Sequence, residues 1–285
     1  MTGGARRPAA QSSFDPANWP PDAPRLVAAA LEVCFAAALY LVGGFWRLGV
    51  PIVVADTCLM LLPWRYPRSE RSTFSIWAEA VLYLACPTAL FAVAIAGSQP
   101  WLSLVPAPQW WPVGFAVGVA LVRLSGLPLR AVISGALASL AFPTTVRHKL
   151  ARCVSIAGAP PGEETLYRAP LLAVHGATML PLGVLAAVGF VARHHLPPGQ
   201  HGRTTRRVLA TQCVAACALG ALTWASRSIY PALLAHALNN TPGLLLEARR
   251  PILGEQPGDP EPAMAENSTG ASTAASTAET QRGDA

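Results

Sequence analysis

Apolar stretches with spanning potential follow one another along this chain, at about residues 26–45, 48–63, 76–96, 110–142, 165–194, 208–224 and 229–246. A straight helical span needs about 20 apolar residues. Several of these stretches are shorter, whereas 110–142 and 165–194 are long enough to be broken, the first at Gly126-Leu127-Pro128 and the second between Gly176 and Pro181. Backbone exposed to lipid must satisfy its own hydrogen bonds, which selects helices. The alternating strands of about ten residues that build a membrane barrel are not in the pattern. The expectation is an all-α, polytopic helical integral membrane protein with about seven to nine membrane segments. Composition excludes an ordinary soluble domain: 13% of residues are charged, against about 25% in soluble chains.

Neither end of the chain can bury a core. Residues 1–22 are rich in Gly, Ala, Pro and Ser, and 251–285 hold no aromatic residue, so both are expected to be disordered. Between them lie N-terminal transmembrane helices over 23–142 and a motif-bearing membrane core over 143–250. Arg6, Arg7 and Arg25 precede the first span and Arg65, Arg68 and Arg71 follow the second, while 97–109 carries no charge. Positive residues stay inside, so the amino terminus is expected in the cytoplasm. Arg147, Lys149 and Arg152, and then Arg203, Arg206 and Arg207, mark two further cytoplasmic loops, which makes 165–194 a hairpin or re-entrant segment. The polar leader lacks the pattern of a cleavable signal peptide, and the first span is read as an uncleaved anchor. The net charge of +6 is spread over loop flanks, which fits topology rather than nucleic-acid binding. Arginine outnumbers the single lysine, and Ala and Pro are heavily used, pointing to a GC-rich, bacterial source and to the plasma membrane. The cysteines fall mostly within apolar stretches and read as small apolar filler.

Charged residues at membrane depth are costly and mark function, which singles out Glu163-Glu164-Thr165-Leu166-Tyr167-Arg168. Pro160-Pro161-Gly162 is expected to break what precedes, so that the acids open a new helix where negative charge complements the dipole. Residues four apart share a helix face: Glu164 then pairs with Arg168, and Glu163 stands above Tyr167, left available. On an ordinary helix such a pair is a solvated bridge of little worth, but Ala169 to Val174 continue as apolar interior. Downstream, Phe190 stands one turn before His194, although His194, His195 and His201 also fit a polar loop. His236 and Asn240 share one face of an apolar helix, where they equally fit hydrogen bonding to neighbouring helices. Glu32, Asp56, Glu79, Arg123 and His175 are expected to line a cavity or pair across helices.

In this order, EETLYR, FVARH and HALNN resemble the CPBP family, membrane proteases that include the CAAX prenyl endopeptidase and the bacteriocin-processing, Abi-like proteins. The family signatures are E-E-x-x-x-R, F-x-x-x-H and H-x-x-x-N/D, and the resemblance covers about residues 145–246. It implies that Glu163 and His194 activate a water against a peptide carbonyl and that His236 and Asn240 stabilise the oxyanion. Glu164 and Arg168 become supporting residues and Phe190 a packing residue. A desolvated carboxylate has a raised pKa and suits general-base work. Two departures stand out: Ala169-Pro170 follows the arginine where the family usually has glycine, and His195 doubles His194. No metal is favoured; the alternative set for a zinc or manganese ion is Glu163, His194 and His236, and H-E-x-x-H is absent. The implied partners are the lipid bilayer and a membrane-associated or lipidated peptide or protein. The competing readings are a catalytically silent scaffold or immunity protein and, with no repeated half to support it, a transporter.

Overall fold

The computed structural model describes residues 21–62, 73–141, 143–196 and 206–252. Apart from residues 21–22 and 251–252, the leader and tail expected to be disordered lie outside these, as do the basic residues Arg65, Arg68, Arg71 and Arg203, and His201. Among the described residues there is no strand, only an isolated bridge between Thr144 and Ile252. The chain forms α1 (Ala23–Val42), α2 (Gly49–Leu61), α3 (Thr73–Ala96) and α4 (Trp110–Ser125), then the short α5 (Leu129–Ser134) and α6 (Ala136–Ser139). It continues through α7 (Val146–Tyr167), α8 (Met179–Arg193), α9 (Arg206–Ser226) and α10 (Tyr230–Ala248). Ala23–Val42, Gly44–Leu61, Gly176–Arg193 and Arg206–Ser226 are each long and apolar enough to cross a membrane. This is a helical integral membrane protein.

Local sequence explains the boundaries. Asp22 accepts a hydrogen bond from the Arg25 amide at 3.1 Å at the start of α1, with Pro24 in the first turn, the usual combination of an oxygen cap and a residue that has no N–H to lose. Gly126 ends α4 in the left-handed region, φ +75°, where glycine is favoured. The chain breaks there as the sequence predicts, but it goes on into α5 and α6 rather than a second span.

The break expected at Pro160-Pro161-Gly162 does not occur. α7 runs unbroken from Val146 to Tyr167 through both prolines. Each proline removes a donor from the helix ladder, and the loss is offset from outside: the Asn240 side chain on α10 donates to the Ile156 carbonyl at 3.2 Å, the oxygen that a residue-160 amide would have served. Close packing on α3 adds to this. A Cβ at Gly162 would stand 2.9 Å from Pro87 Cβ and 3.0 Å from the Thr88 amide nitrogen. Glu163 and Glu164 therefore lie in the last turn of a helix, not the first. The dipole there opposes negative charge, and other groups must hold the acids.

The stretch expected as a hairpin, 165–194, comprises the end of α7, a turn and α8. Its turn occupies residues 168–178, with Gly176 at φ +67°. Arg25, 3% exposed, ties the start of α1 to the chain beyond α8 and to the end of α2, donating to Leu196 O at 2.7 Å and to Met60 O and Leu61 O at 2.9 and 3.1 Å. α4 meets α10 backbone to backbone through Gly114 and Gly118: a Cβ at Gly114 would come 2.7 Å from Pro231 O, and one at Gly118 2.9 Å from Ala235 O. Small residues four apart allow this approach between membrane helices. Phe35, Leu39, Leu90, Leu166, Tyr167 and Phe190 fill the core between α1, α3, α7 and α8.

Candidate active site

The two acids of α7 point at different partners. Glu164 is fully buried, with one oxygen 2.7 Å from His236 Nδ1 and the other 3.6 Å from Arg168 Nε. The spacing of four correctly places Arg168 beside Glu164, but the acid also holds a histidine of α10. Glu163 is not left available as expected. Its Oε1 accepts from Arg193 Nη1 at 3.0 Å, and Arg193 Nε donates to Asp56 Oδ2 at 2.7 Å. The second oxygen, Oε2, is buried without a hydrogen-bond partner, 3.7 Å from His236 Nε2.

Both histidines are fixed by what Nδ1 meets. In His194, the last cap residue of α8, Nδ1 lies 2.8 Å from Phe190 O, and a carbonyl can only accept, so Nδ1 carries the proton. His236 Nδ1 faces a carboxylate and donates in the same way. Nε2 then accepts when the ring is neutral and donates when it carries both protons. The Phe190 ring centroid lies 4.7 Å from that of His194 and 6.0 Å from that of His236, with the Arg168 guanidinium 4.0 Å over its face, within cation–π range. The adjacent histidines are separated by their contacts: His195 turns to Gln212 on α9, at 3.1 Å. Asn240 is half-buried on α10 and gives one amide N–H to Ile156 O.

The charges decide the state of Glu163, which sits on α7 outside the spanning segments. Burial alone would raise its carboxyl, as the sequence reading supposed. His194, Arg193, His236 and Arg168 outweigh it and hold the group below the usual carboxylate range.

Four residues join the site to which the three motifs gave no role. Asp56 and Glu32, expected to pair across helices, meet Arg193 and Tyr167, whose hydroxyl donates to Glu32 Oε1 at 3.0 Å. Arg193 and Tyr167 were legible only as charged or polar residues within apolar sequence. Arg123 and His175 are exposed, and the Glu79 side chain lies outside the described residues. Among the described residues no group of three or more His, Cys, Asp or Glu is arranged to hold a metal ion. Of the set named for a metal, Glu163 Oε1 is taken by Arg193 and both Nδ1 atoms are engaged, while Glu163 Oε2 has no hydrogen-bond partner.

Residues 149–242, which contain all three motifs, match the family model described as type II CAAX prenyl endopeptidase, Rce1-like. The match supports a CPBP-type intramembrane protease. The matched segment runs from α7 into α10. Asp56 and Glu32 meet its Arg193 and Tyr167 from α2 and α1, outside the matched residues. No curated protein and no solved structure matches the chain.

Proposed function

We propose that the protein is an intramembrane endopeptidase that hydrolyses a peptide bond of a membrane-associated or lipidated peptide or protein, with Glu163 as the base. The observation that carries this reading is Glu163 Oε2, a buried carboxylate oxygen without a partner, opposite His236 Nε2. A water between them gives up its proton to Oε2 as its oxygen attacks the scissile carbonyl carbon, with the His194 ring orienting it. The negative charge that forms on the carbonyl oxygen falls to the second amide N–H of Asn240 and to His236, whose Nε2 donates when the ring carries both protons. When the C–N bond breaks, the proton on Glu163 passes to the leaving amine. Glu164 keeps the His236 ring in position and Phe190 packs both rings.

No metal is needed in this scheme. The substrate's apolar part has a fitting place: a cleft of about 420 Å³ between α1, α8 and α9, lined by Leu31, Val188, Ala192, His195, Cys213 and Cys217, with a second of about 200 Å³ adjoining it at Val184 and Ala187. The arginine-rich composition and basic loop flanks support a bacterial plasma membrane and a cytoplasmic amino terminus.

The test is cleavage of a lipidated reporter-peptide library in detergent by wild type, Glu163→Ala and His236→Ala, each with and without chelator. Loss in both variants with no chelator effect supports the scheme. Chelator loss restored by added metal replaces it with a metalloprotease, and equal cleavage by all three proteins removes the assignment.

A further inference from the structure

Asp56 and Arg193 are buried beside the proposed base yet take no part in activating water. Arg193 is 3% exposed and joins carboxylates from two helices, with Asp56 Oδ2 on Nε at 2.7 Å and Glu163 Oε1 on Nη1 at 3.0 Å. A guanidinium presents its donors in fixed directions within one plane. The acceptor on Nε therefore sets the plane in which Nη1 meets Glu163. The effect is felt at the other oxygen: with Oε1 tied, the carboxylate cannot turn, and Oε2 faces His236 without a hydrogen bond.

We infer that Arg193 and Asp56 are positioning residues, Arg193 clamping one oxygen of Glu163 so that the other is presented to water, and Asp56 holding the clamp from α2. This rests on the reading of Glu163 as the base. Asp56 lies outside residues 149–242, so the N-terminal helices contribute to the site and do more than enclose it. A lysine at 193 keeps the charge but loses the fork, and is expected to hold Glu163 less well.

The competing explanation is a bridge that only satisfies buried charge. A charge-balanced double variant separates the two. Arg193→Gln alone leaves Asp56 and Glu163 facing each other without their cation and is expected to lose stability. Asp56→Asn with Arg193→Gln removes one charge of each sign and leaves in place the other groups around Glu163: His194, His236, Glu164, Arg168, Tyr167 and Glu32.

Wild type, Asp56→Asn, Arg193→Lys and the double variant are compared in detergent by thermal unfolding, by kcat and KM on a reporter peptide, and by infrared titration of the Glu163 carboxyl. The Glu163 band is assigned by its loss in Glu163→Gln. The double variant is expected to unfold near wild type, keep its KM and lose about 100-fold in kcat, the scale of a small misplacement of a reacting group, with Arg193→Lys in between. Its Glu163 carboxyl band is expected to persist to higher pH than in wild type. Recovery of kcat together with stability, or a Glu163 titration unchanged from wild type, overturns the inference. Where the double variant does not fold, Asp56→Asn supplies the same readings. If wild type cleaves nothing, the proposed hydrolysis fails, while the infrared titration still decides the clamp.

Discussion

The carboxamide of Asn240 donates to the carbonyl of Ile156, the oxygen that Pro160 leaves without its partner in α7. A residue of the third motif thus repairs the helix that carries the first. Asn240→Ala is expected to cost about 1 kcal/mol, the worth of a partly buried hydrogen bond. Asn240→Asp should cost more, because an ionised carboxylate there faces a carbonyl with no proton to offer. Thermal unfolding in detergent ranks the two.

Glu163 and Glu164 should separate in kinetics. Glu163→Gln removes the proposed base and is expected to lower kcat by about 10²–10⁴, the usual range for a general base. Glu164→Gln leaves the base in place and alters only the support of the His236 ring, so its loss should be smaller. Single-turnover rates on one reporter peptide measure both.

The pH profile follows from the charges around Glu163. Its carboxyl is held low, so the base stays ionised and activity falls only as acid brings the pH down to that lowered value. Arg168→Gln removes one of the four groups that hold it down. The folded-state value then rises, and the acid limb of kcat/KM should move to higher pH, whereas Arg168→Lys, which keeps the charge, should move it less.

Close approach between α4 and α10 makes Gly118→Ala costly. The added methyl meets Ala235 O at 2.9 Å and Leu238 Cβ at 2.8 Å, and backbone cannot step aside without displacing His236. The expected cost is about 1–3 kcal/mol, with activity reduced as well. Gly220 on α9 has nothing within 4 Å of an added Cβ, so Gly220→Ala should be neutral or stabilising by up to about 1 kcal/mol.

Arg25→Met removes the hydrogen bonds to Leu196, Met60 and Leu61 and leaves buried carbonyls unserved. Each such group costs about 1–3 kcal/mol, so the variant should unfold well below wild type or fail to accumulate in the membrane.

The helical membrane class and the three motifs were legible because each rests on local pattern: apolar length, and spacings of four along a helix. The same spacing found Glu164 beside Arg168. What the sequence concealed was long-range. Two prolines read as a helix break because their missing donors are visible in sequence, whereas Asn240, the residue that compensates for one of them, lies 84 positions beyond the Ile156 carbonyl it serves. Glu163 read as an acid raised by burial because the cations around it come from other turns and other helices. Asp56 was conspicuous as an acid within apolar sequence, but only the packing of α2 and α8 on α1 brings it to Arg193.

The bridges of Glu32 to Tyr167 and Asp56 to Arg193 close over 135 and 137 residues. In the order of synthesis, the first two helices enter the bilayer carrying acids whose partners have not yet left the ribosome. An acid unpaired at membrane depth is costly, so the early intermediate is strained until the α7–α8 hairpin arrives. A chain stopped before residue 193 holds the N-terminal helices but not the cation that neutralises Asp56. The membrane domain is therefore completed from its C-terminal half.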